Sequence, residues 1–289
     1  NINKELAIQA ADGESPVITD DVGDSDQEGI GIQADNITLS GFTLDSGDDG
    51  DSTIVVDANN TTIANNTFIF DSGSNTDIGI ETVPNSLPPE GKFDGVSGLT
   101  IHNNVFNHPD DSGGNTYAGV YINPSDDDEE DLITAQVSVT NNTFNGAITV
   151  GIVSEHDNVV ISDNTLNASV SVSSNNGIIV RQAATADDQV SDVTIESNTI
   201  GGSAGFNSAI EAGTFAGDPV NNLTVSSNDI TNASHEGVLI EGDVDKVDIE
   251  NNTFTSISDQ GDGAIVLNAT EGPFTLVNVT GNTIQDSSG

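Results

Sequence analysis

A four-residue phrase, Asn-Asn-Thr-Phe, returns along the whole chain in nine close variants. The copies end at Leu44, Phe68, Phe106, Phe144, Leu166, Ile200, Ile230, Phe254 and Ile284. The shortest interval is 22 residues and the longest is 38, so a basic period near 22 residues is extended by insertions. A period in this range predicts a solenoid, in which each repeat buries its apolar face against its neighbours.

Two short segments in each repeat have the composition of β-strands. One precedes the phrase and alternates aliphatic with polar residues, as in Val137–Val139 and Val247–Ile249. The other follows the phrase and is often led by glycine, as in Gly119–Ile122 and Gly177–Val180. Because side chains alternate between the faces of a strand, the aliphatic residues of both segments are expected to point inward.

The asparagine before each Thr-Phe pair predicts a ladder of amides inside the solenoid. The positions concerned are Asn66, Asn104, Asn142, Asn164, Asn198, Asn228, Asn252 and Asn282. If coils stack about 4.8 Å apart, each inward amide reaches the amides above and below it. Phe42 occupies this position in the first copy, so the ladder is expected to begin one coil later.

The segments Thr61–Phe68, Val137–Phe144 and Val247–Phe254 resemble the repeats of right-handed parallel β-helices of the pectin-lyase-like superfamily. The resemblance covers roughly Lys4 to Ile284. It implies an all-β, right-handed parallel β-helix (solenoid) of about nine to ten coils, with loop insertions on one side. That superfamily includes polysaccharide lyases, hydrolases, epimerases, phage tailspikes and surface proteins, so it implies a carbohydrate-facing, extracellular setting without fixing an activity.

Charge is the second strong constraint. The chain carries 47 acidic and four basic residues, a formal net charge of −43. Such a surface repels nucleic acid and anionic lipid, which excludes both as partners. It also predicts a medium of high salt or high calcium, since screening or bound cations must offset the self-repulsion. The absence of cysteine excludes disulfides and thiolate metal sites.

The chain has no methionine and opens at Asn1, inside a region that already reads as a repeat. We therefore expect residues 1–289 to form a single β-helix domain, a section of a longer extracellular or cell-surface protein. The sequence contains no run of 18 apolar residues, which excludes direct membrane insertion.

Long insertions recur after the second strand segment, where they hold two of the four basic residues. Lys92 and Arg181 lie in these insertions, and Tyr121 lies between Val120 and Ile122, so its side chain is expected to point outward. These three residues are the candidates for a catalytic site. For a lyase of this superfamily, the resemblance implies clustered Asp residues that bind calcium, with an Arg or Lys nearby, but no basic residue accompanies the outward Asp residues of adjacent coils. No cofactor other than calcium is indicated.

Asp24, Asp26 and Glu28 are the candidate metal ligands. Oxygen ligands at alternate positions followed by Gly29 are typical of the start of a calcium loop. The alternative is an acidic turn leading into the first coil. The four histidines lie on separate coils without a matching partner, so neither a metal-binding nor a catalytic role is assigned to them.

Three functions remain open. The first is a structural, adhesive or carbohydrate-binding role at the cell surface, with carbohydrate or another surface component as partner. The second is a polysaccharide lyase, hydrolase or epimerase that acts on the long-loop face. The third is a filament subunit that self-associates through open strand edges at the ends of the solenoid.

Overall fold

The computed structural model describes residues 2–19, 29–46, 52–70, 78–82, 96–108, 118–123, 136–169, 175–181, 190–213, 220–242, 244–258, 263–269 and 274–286. The regular elements within these ranges are all β-strands. In chain order they are β1 (Ala7–Gln9), β2 (Val17–Thr19), β3 (Ile30–Ile32), β4 (Thr38–Ser40), β5 (Thr43–Asp45), β6 (Ser52–Val56), β7 (Thr62–Ala64), β8 (Thr67–Ile69), β9 (Ile78–Thr82), β10 (Thr100–His102), β11 (Val105–Asn107), β12 (Ala118–Ile122), β13 (Val137–Thr140), β14 (Thr143–Gly146), β15 (Val150–Ser154), β16 (Val159–Ser162), β17 (Thr165–Ala168), β18 (Asn176–Arg181), β19 (Val190–Glu196), β20 (Thr199–Gly201), β21 (Ser208–Gly213), β22 (Val220–Ser226), β23 (Asp229–Thr231), β24 (Glu236–Glu241), β25 (Val244–Glu250), β26 (Thr253–Thr255), β27 (Gly263–Asn268), β28 (Phe274–Thr280) and β29 (Thr283–Gln285).

Every third strand belongs to the same sheet, which gives three parallel sheets that run the length of the molecule. The first sheet begins with β1 and ends with β28, and the second begins with β2 and ends with β29, with ten strands in each. The third begins with β3, ends with β27 and has nine strands. The all-β, right-handed parallel β-helix of nine to ten coils is therefore confirmed. The described residues contain no helix that is long and apolar enough to cross a bilayer.

Each coil has three strands, whereas the sequence predicted two strand segments per repeat. The additional strand is the Thr-Phe pair itself, which forms the second sheet, as in β8 and β14. It is separated from the first sheet by a two-residue corner, as at Asn65 and Asn66 between β7 and β8. Because this corner turns the chain so sharply, the phrase cannot continue the preceding strand.

The four residues of the phrase have four distinct structural roles. The first residue has a left-handed backbone, with φ near +57° at Asn65, Asn103 and Asn141 and +67° where glycine replaces asparagine at Gly281. Asparagine, aspartate and glycine tolerate this conformation better than other residues. The second residue is the inward asparagine, the third points outward, and the fourth is fully buried up to Phe254.

The predicted asparagine ladder is present, with the predicted starting point. Each amide Nδ2 donates to the Oδ1 of the asparagine in the next coil, at 2.9–3.2 Å from Asn66 through Asn252. The same Nδ2 also donates to a first-sheet carbonyl in the preceding coil, as Asn142 does to Ile101 at 2.9 Å. At the first rung, the backbone N–H of Phe42 donates to Asn66 Oδ1 at 3.0 Å. The amides are thus satisfied while excluded from water.

Glycines in the third sheet make room for the inward rings of the second sheet. A Cβ on Gly79 would lie 2.9 Å from the ring of Phe106, and one on Gly119 would lie 2.5 Å from the ring of Phe144. The rings of Phe68, Phe106 and Phe144 stack with centroids 4.5 and 4.6 Å apart. The glycine-led strand and the aromatic of the following coil are therefore complementary parts of one core layer.

The last coil differs from the others in exposure. Its residues Val279 and Ile284 are 45% and 56% exposed, whereas their partners in the preceding coil, Ile249 and Phe254, are buried. At the opposite end, Ile18, which pairs with the buried Leu44, is 37% exposed. Both described ends of the solenoid thus present apolar strand edges, and self-association through them stays a prediction.

His108 is a buried histidine at the edge of the core. Its ring stacks on Phe70 with centroids 4.1 Å apart, and neither ring nitrogen has a hydrogen-bond partner within the described part of the chain. Burial lowers the pKa of His108 from 6.5 to about 3, because the charged form would lose its hydration.

The ladder predicts a large difference between inward and outward asparagines of one coil. Asn142→Ala removes an amide that donates two hydrogen bonds and accepts two, so we expect the free energy of unfolding to fall by about 2–5 kcal/mol. Asn145→Ala is the matched control, because Asn145 points outward and hydrogen-bonds to the half-buried Asn107 and the exposed Asn167. Urea denaturation of both variants measures the difference. Equal losses would contradict a dominant role for the inward ladder.

Burial of His108 predicts an acid sensitivity that a phenylalanine would remove. The folded pKa lies below the unfolded one, so the unfolded chain binds more protons between about pH 6.5 and 3 and stability falls as pH falls. We expect the stability of the wild type relative to His108→Phe to drop by about 3 kcal/mol between about pH 7 and 4. Parallel pH profiles from urea denaturation of the two proteins would contradict this.

Candidate functional site

The long connecting segments all meet the strands of the third sheet. Segments 71–77 and 109–117 lead into β9 and β12, and segments 83–95, 124–135 and 182–189 follow β9, β12 and β18. The corners between the first and second sheets, by contrast, are short. The predicted restriction of insertions to one side is therefore confirmed in chain order. It makes the outer surface of the third sheet the part of the solenoid flanked by variable sequence on both sides.

Five glutamates lie on this outer surface, and side chains of the same sheet hold each of them in place. We call this surface the glutamate face and define it by Glu81, Tyr121, Glu155, Arg181, Glu211, Glu236 and Glu241. Asn123 donates to Glu81 at 3.0 Å, Asn176 to Glu211 at 2.7 Å, Ser208 to Glu236 at 2.8 Å and Asn268 to Glu241 at 3.0 Å. Ser52 also donates to Glu81.

Glu155 is bound by both of the predicted site residues that the structure describes. The Tyr121 hydroxyl donates to Glu155 Oε1 at 2.9 Å, and Arg181 Nε donates to the same oxygen at 2.7 Å. The side chain of Glu155 is 5% exposed and that of Arg181 is 24% exposed. The structure thus confirms that Tyr121 points outward, and it joins Tyr121 and Arg181 through a carboxylate that the sequence analysis did not select.

The Tyr121 ring also packs on a small apolar cluster outside the main core. The cluster consists of Ala118, Val150, Val153 and Ile179, all buried. Burial raises the pKa of the Tyr121 hydroxyl well above its usual value, and the neighbouring Glu155 carboxylate raises it further. The Tyr121 hydroxyl is therefore a hydrogen-bond donor at any ordinary pH. Its ring places an aromatic surface next to the charged Glu155 and Arg181.

A shallow depression lies beside Arg181. Gly213 is paired with Arg181 on one side and Glu241 on the other, so one position in this outward row has no side chain. Ile179, Arg181, Glu211 and Glu241 line the depression. Burial raises the pKa of Glu211, as does repulsion from Glu241, while Arg181 acts in the opposite direction. The Glu211 and Glu241 carboxylates therefore share one opening.

The other predicted site residues lie outside the described residues. This applies to Lys92 and to the proposed calcium ligands Asp24, Asp26 and Glu28, so calcium binding stays a prediction. Among the residues that the structure describes, no group of three or more His, Cys, Asp or Glu side chains could hold a metal ion. The described Lys246 pairs with Asp248 at 3.0 Å on the first sheet, away from the glutamate face.

Comparison with known proteins identifies the fold. A family model described as a right-handed β-helix region matches residues 94–289, and no curated protein matches the chain. A double mutant of the tailspike protein of E. coli bacteriophage HK620 is 15% identical, with a TM-score of 0.68 over 98% of this chain and 49% of that one. A second tailspike mutant, in complex with a pentasaccharide, is 14% identical, with a TM-score of 0.60 over 86% of this chain and 42% of that one.

An exopolygalacturonase from Thermotoga maritima is more distant. It is 12% identical, with a TM-score of 0.48 over 81% of this chain and 55% of that one. The chain thus spans about half the length of these solved structures. At such low identities the tailspike likeness establishes the fold and nothing further.

The Glu155–Arg181 pair predicts a specific double-mutant result. Arg181→Ala leaves Glu155 buried without its cation, so we expect the free energy of unfolding to fall by about 2–3 kcal/mol. Adding Glu155→Gln removes the uncompensated charge and restores part of that loss. Lys246→Ala is the control, because the more exposed Lys246–Asp248 pair contributes at most about 1 kcal/mol. Losses that simply add in the Arg181–Glu155 double variant would refute the coupling.

Proposed function

Because the chain belongs to the family of right-handed β-helix proteins, as its repeats predicted, we propose that it is an extracellular carbohydrate-binding protein that binds glycan on the glutamate face. The observation that carries this proposal is the set of carboxylates held in place by neighbouring coils, beside Arg181 and Tyr121. Sugar hydroxyls bind to fixed, charged hydrogen-bond acceptors and to aromatic surfaces, and pre-positioned groups lose little entropy on binding.

Two further observations support glycan binding at the glutamate face. The long segments on both sides of the third sheet provide sequence that can shape a groove without disturbing the core. The tailspike structures of similar fold include complexes with a pentasaccharide and a hexasaccharide. For this chain that likeness is an analogy, and it favours carbohydrate over other classes of ligand.

The proposed setting follows from charge. A net charge of −43 is tolerated where salt or divalent cations screen it. We therefore propose an extracellular or cell-surface location in a medium of high ionic strength, with an adhesive or structural role based on glycan binding. Calcium, as a stabilising ion, belongs to this proposal.

Hydrolysis of polysaccharide is the second candidate function, and one observation favours it. Glu211 and Glu241 line the same depression, and burial together with the Glu241 charge raises the pKa of Glu211. A carboxyl with a raised pKa beside a second carboxylate is an arrangement suited to general acid catalysis of glycoside cleavage. In this alternative, Glu211 donates the proton to the leaving oxygen.

Glycan binding and reducing-end release, measured on the same samples, separate the two functions. For the binding protein we expect hits on a glycan array, no release of reducing ends, and at least tenfold weaker binding when Tyr121→Ala and Glu211→Ala are combined. Thr143→Ala, on the outer face of the second sheet, is the control. Reducing ends released by the wild type and not by Glu211→Gln would replace the binding role by hydrolysis. An array without hits, together with no release, would refute both.

A further inference from the structure

We infer that the glutamate face selects elongated, uncharged glycan segments that lie along the solenoid axis, and that it rejects uronate and sulfated chains. The inference rests on the proposed carbohydrate-binding function and names the class of carbohydrate. It follows from the negative charge of the carboxylates on the face, from the hydrogen bonds that they and Arg181 already make, and from the spacing of the carboxylates along the solenoid axis.

The face is rich in hydrogen-bond acceptors. Glu211 accepts a hydrogen bond from Asn176 and Glu241 accepts one from Asn268, and within the described residues these two carboxylates have no further partners. A carboxylate can accept about four hydrogen bonds. Each therefore keeps acceptor capacity for hydroxyl groups, which are the donors that every neutral sugar carries.

The described residues supply one cation to this face, and it is already engaged. Arg181 Nε donates to the buried carboxylate of Glu155 at 2.7 Å. A ligand carboxylate or sulfate placed here would face Glu211 and Glu241, with no unengaged positive partner among the described residues, and like-charge juxtaposition is strongly unfavourable. Exclusion of anionic sugars is thus a local property of the face, in addition to the effect of the total charge.

The spacing of the carboxylates indicates an extended ligand. Glu81 lies on β9 in the third coil and Glu241 on β24 in the eighth. Five coil spacings of about 4.8 Å place them roughly 24 Å apart along the axis. A glycan that contacts both must span several sugar units and run parallel to the stack of coils.

The depression beside Gly213 suits an uncharged sugar ring. Ile179 provides an apolar contact, and the carboxylates of Glu211 and Glu241 line the same opening. Sugar rings combine C–H surfaces with a periphery of hydroxyls, so apolar and acceptor groups in one opening match their chemistry.

Matched probes test the inference. An array carrying neutral, uronate and sulfated oligosaccharides is read at about 0.1 M and at about 1 M NaCl, where the screening length falls from about 10 to about 3 Å. For each uronate, a carboxyl-reduced counterpart with the same backbone is included. We expect binding to neutral and carboxyl-reduced chains only. Because the exclusion is local, we expect it to persist at the higher salt concentration.

A pair of glutamate variants locates the effect. Glu241→Ala is expected to weaken neutral binding about tenfold. Glu250→Ala, on the first sheet, is the matched control, since Glu250 accepts a hydrogen bond from Asn278 at 2.8 Å much as Glu241 does from Asn268. Thermal melting of both variants checks that the coils remain folded, and Glu211→Gln is a second variant that leaves side-chain volume unchanged.

Each other outcome has a distinct meaning. Uronate binding that is lost in Arg181→Ala would overturn the assignment of uncharged glycans while leaving carbohydrate binding at the face intact. Neutral binding unaffected by Glu241→Ala and Glu211→Gln would overturn the inferred location. No binding to any probe would overturn both this inference and the proposed function on which it rests.

Discussion

The inward amide at each corner is the interaction on which the coil geometry depends. Each asparagine contacts three consecutive coils, because its Nδ2 bonds to one coil behind and one ahead while its Oδ1 accepts from the coil behind. The chain must turn within two residues to place that amide inside, and the left-handed residue before it makes the turn possible. The corner recurs at the equivalent position of each coil. The sheet register, the strand length and the position of the buried aromatic residue follow from it.

The core and the glutamate face are built from alternate positions of the same strands. In β12, Val120 and Ile122 are fully buried while Tyr121 between them faces outward. The glycine–aromatic contacts fill the interior beside that strand, while its outer face carries Tyr121 on a separate small apolar cluster. As a result, five glutamates can occupy the third sheet without any loss of apolar burial, and their register brings carboxylates from distant parts of the sequence side by side.

The interior was predictable from the sequence, whereas the arrangement of the glutamate face largely was not. Periodic spacing identified Asn66 through Asn282 and the buried residues that follow them, because every coil repeats the same physical requirement. The Thr-Phe strand was missed as a separate element, since its three residues are too short to show an alternating pattern of their own. Glu155 was missed for another reason: 26 residues and an insertion separate it from Arg181, and among 47 acidic residues only the sheet register singles it out.

The meeting of all long segments at one sheet has a consequence for how such a chain can diversify. A change of length at those junctions lengthens or shortens a connecting segment and leaves the strands unchanged. The two-residue corners between the first and second sheets maintain the register of successive coils. Gain or loss of one whole coil also preserves the register of the strands, since successive coils contact each other through the same asparagine ladder. Proteins of this kind can therefore change in overall length by whole coils and exchange surface loops independently. The packing of the interior stays the same in both cases.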